Sequence, residues 1–397
     1  MKIVFLAPFG IRPKGTLQAR MLPLARELQS RGHRLSIIAP PYTNPEDSGR
    51  EETVDGVMVR NIPIEPYHRF LSTPLLAARM MVAAREDFPS LLHLFKPKGY
   101  GGVGVIPRLL ISPAGERSIP ILVDTDDWEG DGGMNEIHPY RSLEKRFYAF
   151  QERFILRRAD GVTAASRALC SIVSTLRGDD RILHLPNGVG VMGPGDGWGV
   201  RRRYGIGAGT PVVLLYTRFF EFSQDRLYRV LREIFSRRPD IRFLVVGKGR
   251  RGEEYALERD AACGGYAHSL VMAGWVDPSQ IPDHIAAADL AIYPFDDTLV
   301  NRCKCPAKLT EIVARGVPVV ADRVGEIPEY LSPEADPFLT DPGAPEGMAA
   351  AVIRLIDDPP LRRRIGDTAS RFIHSRFSWS YQAEMLETFY RRFTFHD

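Results

Sequence analysis

The sequence is poor in cysteine, in net charge and in long apolar runs, and each shortage excludes a class of protein. Its 397 residues include four cysteines, Cys170, Cys263, Cys303 and Cys305. These positions form neither a disulfide framework nor the paired ligands of a structural zinc site, which favours a reducing, cytoplasmic setting. The formal net charge of +3 is too small to indicate a nucleic-acid partner. No apolar run approaches the ~18 residues of a membrane-spanning helix.

Lysine is also scarce, because arginine supplies most of the positive charge. The eight lysines are Lys2, Lys14, Lys96, Lys98, Lys145, Lys248, Lys304 and Lys308. Most of them lie in loops that contain glycine or proline, or at the starts of predicted helices, where ligand-binding groups concentrate. Chance placement explains the distribution equally well, so the pattern alone assigns these lysines no role.

What the sequence does contain is a repeated alternation of apolar strands and amphipathic helices. Lys2–Ala7 is a predicted strand, 16–31 a helix that ends at Gly32, and Arg34–Ala39 the next strand. This order is a βαβ unit, which implies a parallel sheet with a right-handed crossover. Further strands are predicted at Leu91–Phe95, Ile119–Asp124, Gly161–Ala165, Arg181–Leu185, Pro211–Thr217, Ile241–Gly247, Leu270–Trp275, Asp289–Pro294 and Val317–Ala321.

A glycine-rich stretch divides this alternation into two halves. A chain of 397 residues exceeds one ordinary core, so two domains are expected. We predict an N-terminal Rossmann-like domain at 1–190, a linker at 191–209, a second Rossmann-like domain at 210–375 and a final amphipathic helix at 376–397. The predicted fold class is therefore α/β, with two Rossmann-like domains facing a cleft.

The segment from Asn301 to Glu329 carries the densest chemical signal. Its helix begins at Pro306 and places Lys308, Glu311 and Arg315 on one face, ahead of an apolar strand. Free N–H groups in the first helical turn suit a phosphate, and the carboxylate suits a sugar diol. A solvated helix with a Glu311–Arg315 surface pair, contributing ~0.3–0.5 kcal/mol, explains the same spacing. Spacing alone leaves both interpretations open.

This segment resembles the donor-site signature of the retaining family 4 glycosyltransferases, which have the two-domain GT-B fold. The matching positions are Pro306, Lys308, Glu311, Gly316, Pro318, Val319, Val320, Gly325, Pro328 and Glu329. Weaker matches are Gly32-His33, Pro186–Val189, Val245–Gly249 and Ala273–Val276, and the helix at Trp379 resembles the segment that crosses back to the first domain. The resemblance implies transfer of a sugar from a nucleotide-diphosphate sugar to an acceptor hydroxyl, with retention of configuration and without a metal.

The resemblance also implies roles for individual residues. Arg218 and Lys308 are the expected catalytic residues, because they would stabilise the departing diphosphate. Glu311 is expected to bind the ribose of the donor, and a UDP-sugar is the expected donor. Other predicted donor-binding residues are Cys303, Lys304, Cys305, Gly247, Lys248, Gly274, Lys14 and Gly15. The last two lie in the loop Ile11–Thr16, for which a role near the diphosphate is favoured over an ordinary loop capped by Thr16.

Two positions depart from the family pattern. A second glutamate, which touches the donor sugar, usually stands where this chain has Cys303. A lysine that contacts phosphate usually stands where this chain has Gln224. Lys304 and Lys248 are candidates to compensate. The departures weaken the expectation for sugar contacts more than the expectation for nucleotide binding.

The most acidic stretch, Asp124–Glu129, follows a predicted strand and precedes a glycine turn. We favour an acceptor site there over a charged loop around a packed tryptophan, and over a carboxylate pair for a divalent metal. The predicted acceptor-binding residues are Asp126, Asp127, Trp128 and Glu129, together with Lys98 of an earlier loop. Carboxylates would accept hydrogen bonds from acceptor hydroxyls, and the indole would stack on a sugar.

Several functional alternatives remain open at this level. The expected context is the synthesis of cell-envelope polysaccharide, glycolipid or another glycoconjugate, with a sugar, lipid-linked or small-molecule acceptor. A GT-B sugar-nucleotide epimerase would need clustered carboxylates and histidines, and a non-catalytic sugar-nucleotide-binding subunit would explain Cys303. Tyr67–Phe88 fits a buried amphipathic helix better than a membrane-surface helix, so peripheral contact with the inner face of a membrane is the second interpretation.

Overall fold

The computed structural model describes residues 1–12, 17–64, 72–116 and 118–394, and the chain divides into two compact units. The first unit comprises Met1–Gly188, Cys303–Cys305 and Trp379–Asp397, and the second comprises Val189–Arg302 and Pro306–Ser378. Each unit contains a largely parallel sheet with helices, so the predicted α/β fold class is confirmed. Lys14 and Gly15 lie outside the described residues.

The first unit is built on an eight-stranded sheet with the order β3-β4-β2-β1-β5-β6-β7-β8. The strands are β1 (Lys2–Leu6), β2 (Arg34–Ala39), β3 (Glu51–Val54), β4 (Val57–Asn61), β5 (Leu91–Phe95), β6 (Ile121–Thr125), β7 (Gly161–Ala164) and β8 (Ile182–His184). Neighbouring strands are parallel except in the β3–β4 hairpin. The hairpin turns at Asp55-Gly56, with φ angles of 50° and 82°. This hairpin was not predicted, although Asp-Gly is a strong hairpin signal.

Apolar side chains are buried on both faces of this sheet. Ile3 and Phe5 of β1 belong to one cluster, and Val4 and Leu6 belong to another. The continuous apolar runs of the sequence arise because parallel strands covered on both faces have no polar side. The helices are α1 (Leu22–Ser30), preceded by a π-helical turn (Leu17–Met21), α2 (Ser72–Glu86), α3 (Gly99–Ile111), α4 (Met134–Ile137), α5 (Ser142–Arg158) and α6 (Arg167–Arg177).

The second unit has a six-stranded parallel sheet with the order β11-β10-β9-β12-β13-β14. The strands are β9 (Val212–Tyr216), β10 (Arg242–Val246), β11 (Leu270–Gly274), β12 (Leu290–Tyr293), β13 (Val319–Asp322) and β14 (Leu339–Thr340). The helices are α7 (Gly197–Arg203), α8 (Gln224–Arg237), α9 (Glu253–Cys263), α10 (Ile281–Ala286), α11 (Leu299–Cys303), α12 (Ala307–Ala314), α13 (Ile327–Tyr330), α14 (Pro345–Asp357) and α15 (Pro359–Arg376). Short 3₁₀ turns lie at Pro45–Asp47, Ala267–Ser269, Pro278–Gln280 and Pro333–Phe338.

The glycine-rich segment 191–209, predicted as a linker, belongs to the second unit and contains α7. The Arg201 guanidinium of α7 donates to the Ala287 carbonyl at 2.9 Å and to the Asp289 carboxylate at 2.8 Å. A β-carbon at Gly195 or Gly197 would lie 2.4 or 2.3 Å from a backbone oxygen of α10. At these two positions glycine therefore permits close packing, whereas the sequence interpretation assigned both to a linker.

The last described helix, α16 (Trp379–Thr394), packs against α1 within the first unit. Its apolar side contributes Trp379, Leu386, Phe389 and Phe393 to the same cluster as Ile3 and Phe5 of β1. None of the described helices is both long and apolar enough to span a membrane.

Candidate active site

Each sheet has one point at which the strand order reverses, and polar residues collect at both points. In the second unit the chain builds β9, β10 and β11 outward in one direction and then places β12, β13 and β14 on the other side of β9. Ligands of open α/β sheets bind outside the carboxyl ends of the two strands that flank such a reversal. A small pocket there is lined by Tyr216 at the end of β9, Thr217 after it, Tyr293 at the end of β12, Phe295 beyond it, and Lys308.

Lys308, Glu311 and Tyr216 form one group at this pocket. The Lys308 ammonium lies 4.2 Å from the centre of the Tyr216 ring, and the Tyr216 hydroxyl hydrogen-bonds the Glu311 carboxylate. Burial raises the pKa of Glu311, and the positive charges of Lys308 and Arg315 oppose that shift. The helix α12 that carries the lysine and the glutamate follows Pro306, as predicted. The structure therefore gives the motif helix a half-buried polar face instead of a solvated one.

Arg218 is exposed and follows β9 in a turn with an unusual backbone conformation. Phe219 has a φ of 66°, a left-handed conformation that is uncommon for a bulky residue. Its N–H donates to Oγ1 of Thr217 at 2.8 Å, and its carbonyl accepts a hydrogen bond from the Gln224 amide at 2.7 Å. Gln224, which replaces the lysine usual in the family, thus braces the turn that presents Arg218.

Gly247 follows β10 and is closely packed against the same turn. Its φ is 126°, and a β-carbon there would lie 1.9 Å from the carbonyl oxygen of Thr217. Its N–H donates to the Gly274 carbonyl at 2.7 Å. Glycine at 247 is therefore required by a close backbone approach, whereas Lys248 next to it is exposed. Gly274 has a φ of 66° and open space around its α-carbon.

A buried ion network that sequence reasoning missed supports the strand ends of this pocket. Arg226 of α8 contacts the Asp322 carboxylate at 2.7 Å and the Asp296 carboxylate at 2.8 Å. Asp322 also accepts the Phe295 N–H at 2.8 Å. Burial raises the pKa of Asp322, against the influence of Arg226. An aspartate that ends the apolar strand β13 was the available sequence signal.

Three predicted donor-binding residues, Cys303, Lys304 and Cys305, belong to the first unit. The Cys303 side chain is buried in an apolar cluster, and its carbonyl accepts a hydrogen bond from Ser166 at 3.0 Å. The Cys305 carbonyl accepts a hydrogen bond from the Asn187 amide at 2.9 Å. The prediction that the Cys303 side chain contacts the sugar donor is therefore corrected. Where the family usually has a glutamate, this chain has a thiol packed among apolar side chains.

In the first unit the strand order reverses between β1 and β5, and Lys96 is the first residue after β5. Its Nζ lies 2.7 Å from the Asp126 carboxylate and 2.8 Å from the Asp127 carboxylate. Burial works against the charged ammonium, but the two carboxylates outweigh it and raise the pKa of Lys96. The lysine lies between the two carboxylates that the metal interpretation would have used. Among the described residues, no group of three or more metal-ligating side chains is positioned for an ion.

Lys98 and Glu129 form a second pair beside the first, with Nζ 2.5 Å from Oε1. Glu129 is 2% exposed, and within the described residues its Oε2 has no hydrogen-bond donor. Behind it, the Glu152 carboxylate accepts the N–H groups of Glu129 and Gly130 at 3.0 and 2.9 Å. The Glu129 carboxylate is thus fixed by Lys98 through Oε1, while its Oε2 lacks a hydrogen-bond donor within the described residues.

Trp128 does not occupy the position predicted for it. It is 5% exposed, packs in an apolar cluster, and donates its indole N–H to the Asp131 carbonyl at 3.2 Å. Gly133 allows this packing, since a β-carbon there would lie 2.2 Å from the Trp128 carbonyl oxygen. The predicted stacking of Trp128 on a sugar is therefore wrong, and the packed-tryptophan interpretation describes this one residue.

Tyrosines supply the aromatic surface that Trp128 does not. The rings of Tyr42 and Tyr100 lie 5.2 Å apart, and those of Tyr140 and Tyr148 lie 5.0 Å apart. Burial raises the pKa of Tyr140 to about 12, with a contribution from the Glu129 carboxylate. Burial also raises the pKa of Tyr148, again with a contribution from the Glu129 carboxylate, so the Tyr140–Tyr148 pair lies near the Lys96–Glu129 group.

A buried polar chain runs through the first sheet behind these residues. Arg20 binds Asp124 through two hydrogen bonds of 2.8 and 2.6 Å. Thr163 bonds both Asp124 and His93, and His93 bonds the Tyr390 hydroxyl at 2.6 Å. Burial lowers the pKa of His93 to about 4, so the imidazole is neutral near pH 7. No periodicity in the sequence predicted this series of hydrogen-bonded side chains.

The two α/β units, with a lysine–glutamate helix at a strand-order reversal, define a glycosyltransferase of the GT-B type. The family described as Glycosyl transferase 4-like domain matches residues 15–188, and the one described as Glycosyl transferases group 1 matches residues 210–358. The chain belongs to this family, the group 1 or family 4 glycosyltransferases.

Curated relatives extend over most of the chain. A GDP-mannose-dependent alpha-(1-6)-phosphatidylinositol monomannoside mannosyltransferase of Mycolicibacterium smegmatis is 26% identical over 92% of this chain and 92% of its own length. A D-inositol 3-phosphate glycosyltransferase of Acidothermus cellulolyticus is 26% identical over 96% of this chain and 86% of its own. Both relatives are named as glycosyltransferases, which disfavours the epimerase and the non-catalytic interpretations.

Solved structures share the fold at low identity. The sucrose-phosphate synthase of Thermosynechococcus elongatus has a TM-score of 0.73 and 18% identity, and 98% of each chain is covered. The Anabaena protein HepE in complex with UDP-glucose has a TM-score of 0.71 and 20% identity, over 98% of this chain and all of that one. These structures support the GT-B architecture.

Proposed function

We propose that this enzyme transfers a glycosyl group from a nucleotide-diphosphate sugar, bound at the β9–β12 reversal, to an acceptor hydroxyl with retention of configuration. The observation that carries the proposal is the Lys308–Tyr216–Glu311 group. The half-buried Glu311 carboxylate, which is hydrogen-bonded by Tyr216, can accept hydrogen bonds from both hydroxyls of a ribose. A lysine one helical turn away can neutralise phosphate.

The leaving diphosphate would be stabilised by cations and by backbone N–H groups. Arg218 is exposed on a braced turn, and Lys308 lies at the start of α12. Positive groups fixed before reaction stabilise developing charge without reorganisation, which is worth several kcal/mol per donor, about 2.7–4 in favourable cases. No enzyme nucleophile is assigned, which is in keeping with a front-face retaining reaction, and the proposal includes no metal.

The acceptor is proposed to bind at the Lys96–Glu129 group of the first unit. The Asp126 and Asp127 carboxylates are 17% and 22% exposed and can accept hydrogen bonds from acceptor hydroxyls. The buried Glu129 carboxylate holds Lys98 beside them, and the nearby tyrosines provide apolar ring surface for a cyclic polyol. The relatives named above act on inositol-containing acceptors. We therefore propose a sugar or inositol head group, free or attached to a lipid, as the acceptor class.

The donor base separates two expectations. The sequence resemblance led to a UDP-sugar, whereas the relative that covers 92% of this chain is named as GDP-mannose-dependent. Titration calorimetry of the protein with UDP-glucose, GDP-mannose, ADP-glucose and TDP-glucose distinguishes these donors. Binding of none of them would contradict the proposed donor site.

Glu311→Gln tests the proposed ribose contact. Loss of a charged acceptor of two hydrogen bonds is expected to weaken donor binding about 10–100-fold. The matched control is Glu334→Gln, which alters an exposed carboxylate of the same unit and should leave affinity unchanged. Equal donor affinity in both variants would remove Glu311 from the site.

A further inference from the structure

Helix α5 presents its apolar side to solvent. Leu143, Phe147, Phe150 and Phe154 lie on one side of the helix, a pattern that normally marks the buried face. In the structure Leu143 is 78% exposed, Phe147 45% and Phe150 57%, whereas Phe154 is partly buried. The buried residues of α5 are Gln151, Glu152, Ile155 and Leu156.

Polar contacts on the inner side of α5 fix this orientation. Glu152 accepts the N–H groups of Glu129 and Gly130, as described above. Gln151 donates to the Gly99 carbonyl at 3.0 Å. A rotation of α5 that buried the apolar side would break these three hydrogen bonds and expose the acceptor-site support. The exposed apolar side is therefore a built feature of the first unit.

Arginines flank the exposed apolar side. At 100° per residue, Arg146 and Arg157 lie along one border of the stripe, and both are exposed. Within the part of the chain that the structure describes, neither forms an ion pair, whereas Arg153 pairs with Asp131 at 3.0 Å. The carboxylate of Glu144 bonds the backbone N–H of Arg141, and Glu152 is buried. The stripe and its border thus combine aromatic, aliphatic and unpaired cationic groups.

We propose that this face of α5, defined by Leu143, Phe147, Phe150, Arg146 and Arg157, binds the surface of an anionic lipid bilayer. Aromatic and aliphatic side chains enter the boundary between head groups and acyl chains, while arginines contact anionic head groups. A second copy of the same face is a poorer partner, because a twofold interface would bring the unpaired arginines together.

The position of the face connects it with acceptor binding. The Phe147 ring lies 6.0 Å from the Tyr148 ring, which in turn contacts Tyr140 of the candidate acceptor site. The face thus adjoins residues proposed to hold the acceptor head group. This link rests on the proposed function and favours the lipid-attached acceptor over the free one. The proposed membrane contact lies on α5 and not on Tyr67–Phe88, for which a buried helix was the favoured interpretation. Residues 67–71 lie outside the described residues, and helix α2 buries Leu76, Met80 and Ala84.

Vesicle co-sedimentation of the full chain tests the proposal. The wild-type protein should bind vesicles of phosphatidylcholine with about a third phosphatidylglycerol at least ~10-fold more tightly than phosphatidylcholine alone. The variant L143S/F147S/F150S should lose binding to both, and R146Q/R157Q should lose the preference for the anionic vesicles. The matched control L110S/I111S alters two residues of α3 that are 59% and 81% exposed, and it should bind like the wild type.

Three results would overturn the proposal: no preference of the wild type for anionic vesicles, unchanged binding by the triple variant, or equal loss in the α3 control. Sedimentation velocity of the wild type and the triple variant shows whether this face mediates self-association. Dimers that are present in the wild type and absent from the variant, together with unchanged vesicle binding, would overturn the lipid assignment. Calorimetry with the nucleotide sugars separates this proposal from the catalytic one. The triple variant should bind donor normally, and a failure of donor binding with intact vesicle binding would contradict only the proposed function.

Discussion

The Arg20 guanidinium and the Asp124 carboxylate are joined by two hydrogen bonds of 2.8 and 2.6 Å, and both side chains are almost completely buried. The same guanidinium donates to the Leu185 carbonyl and to the Asn187 side chain. This pair therefore ties the π-helical turn before α1 to the carboxyl ends of β6 and β8. Its removal should affect the stability of the first unit.

Asp124→Asn is expected to lower the free energy of unfolding by about 3–5 kcal/mol, because it leaves a buried arginine without its counter-charge. Chemical denaturation at neutral pH measures this loss. Asp131→Asn, which alters an 83% exposed side chain, should change stability little. Similar losses in the two variants would indicate that the buried pair contributes no more to the free energy of unfolding than an exposed aspartate does.

The pH dependence of stability should report on Glu152. Burial raises the pKa of Glu152 from its ordinary 4.5 to about 8, and the Glu129 carboxylate adds to this shift. Between these values the folded state binds a proton that the unfolded state has released, so the free energy of unfolding should fall as pH rises through this window. Glu152→Gln should flatten that fall, whereas the exposed Glu116→Gln should preserve it. Parallel pH profiles for wild type and Glu152→Gln would contradict the assignment.

Gly247→Ala is expected to disturb the turn that carries Arg218. Its new β-carbon would lie 1.9 Å from the Thr217 carbonyl oxygen at a φ of 126°, so the backbone must move. We expect a clear loss of donor affinity in calorimetry together with reduced stability. Gly274→Ala has open space and should cost only about 1–2 kcal/mol for its left-handed conformation. If Gly274→Ala weakened donor binding more, the close approach at Gly247 would not be the determining contact.

Glu129→Gln tests the proposed acceptor site. It keeps the shape of the side chain but removes the charge that faces Lys98, and it should raise the KM for the acceptor about 10–100-fold with the KM for the donor unchanged. Steady-state kinetics with each substrate varied separately provide the measurement, and a melting curve shows whether the variant is folded. A change in the KM for the donor alone would contradict the placement of Glu129 in the acceptor site.

Much of the architecture could be predicted because parallel strands and amphipathic helices leave local patterns. The strand β12 and the motif helix α12 were found from apolar runs and from Pro306, since each depends on neighbours in the sequence. The family resemblance then identified Glu311 and Arg218 as candidates. Lys96 could also have been predicted as a site residue, because it directly follows a buried strand at the sheet edge where ligands bind.

The contacts that define the two sites could not be predicted, because they join distant residues. Tyr216 meets Glu311 only when β9 lies beside α12, and Arg20 meets Asp124 across 104 positions. The composition of the acidic loop did not show that Trp128 turns inward, since that depends on the space left by Gly133. For the same reason the apolar side of α5 could not be identified as exposed until the contacts of Gln151 and Glu152 were known.

The packing of α16 has a consequence for how the protein is made. Residues 379–394 of α16 cover α1 and contribute to a cluster whose other members come from α1 and from strands that include β1, β2, β4 and β5. Domains generally fold as they emerge during synthesis, N-terminal first, but here an apolar face of the first unit stays open until this helix has left the ribosome. We therefore expect the unit that is synthesised first to complete its core only after the second unit has been made.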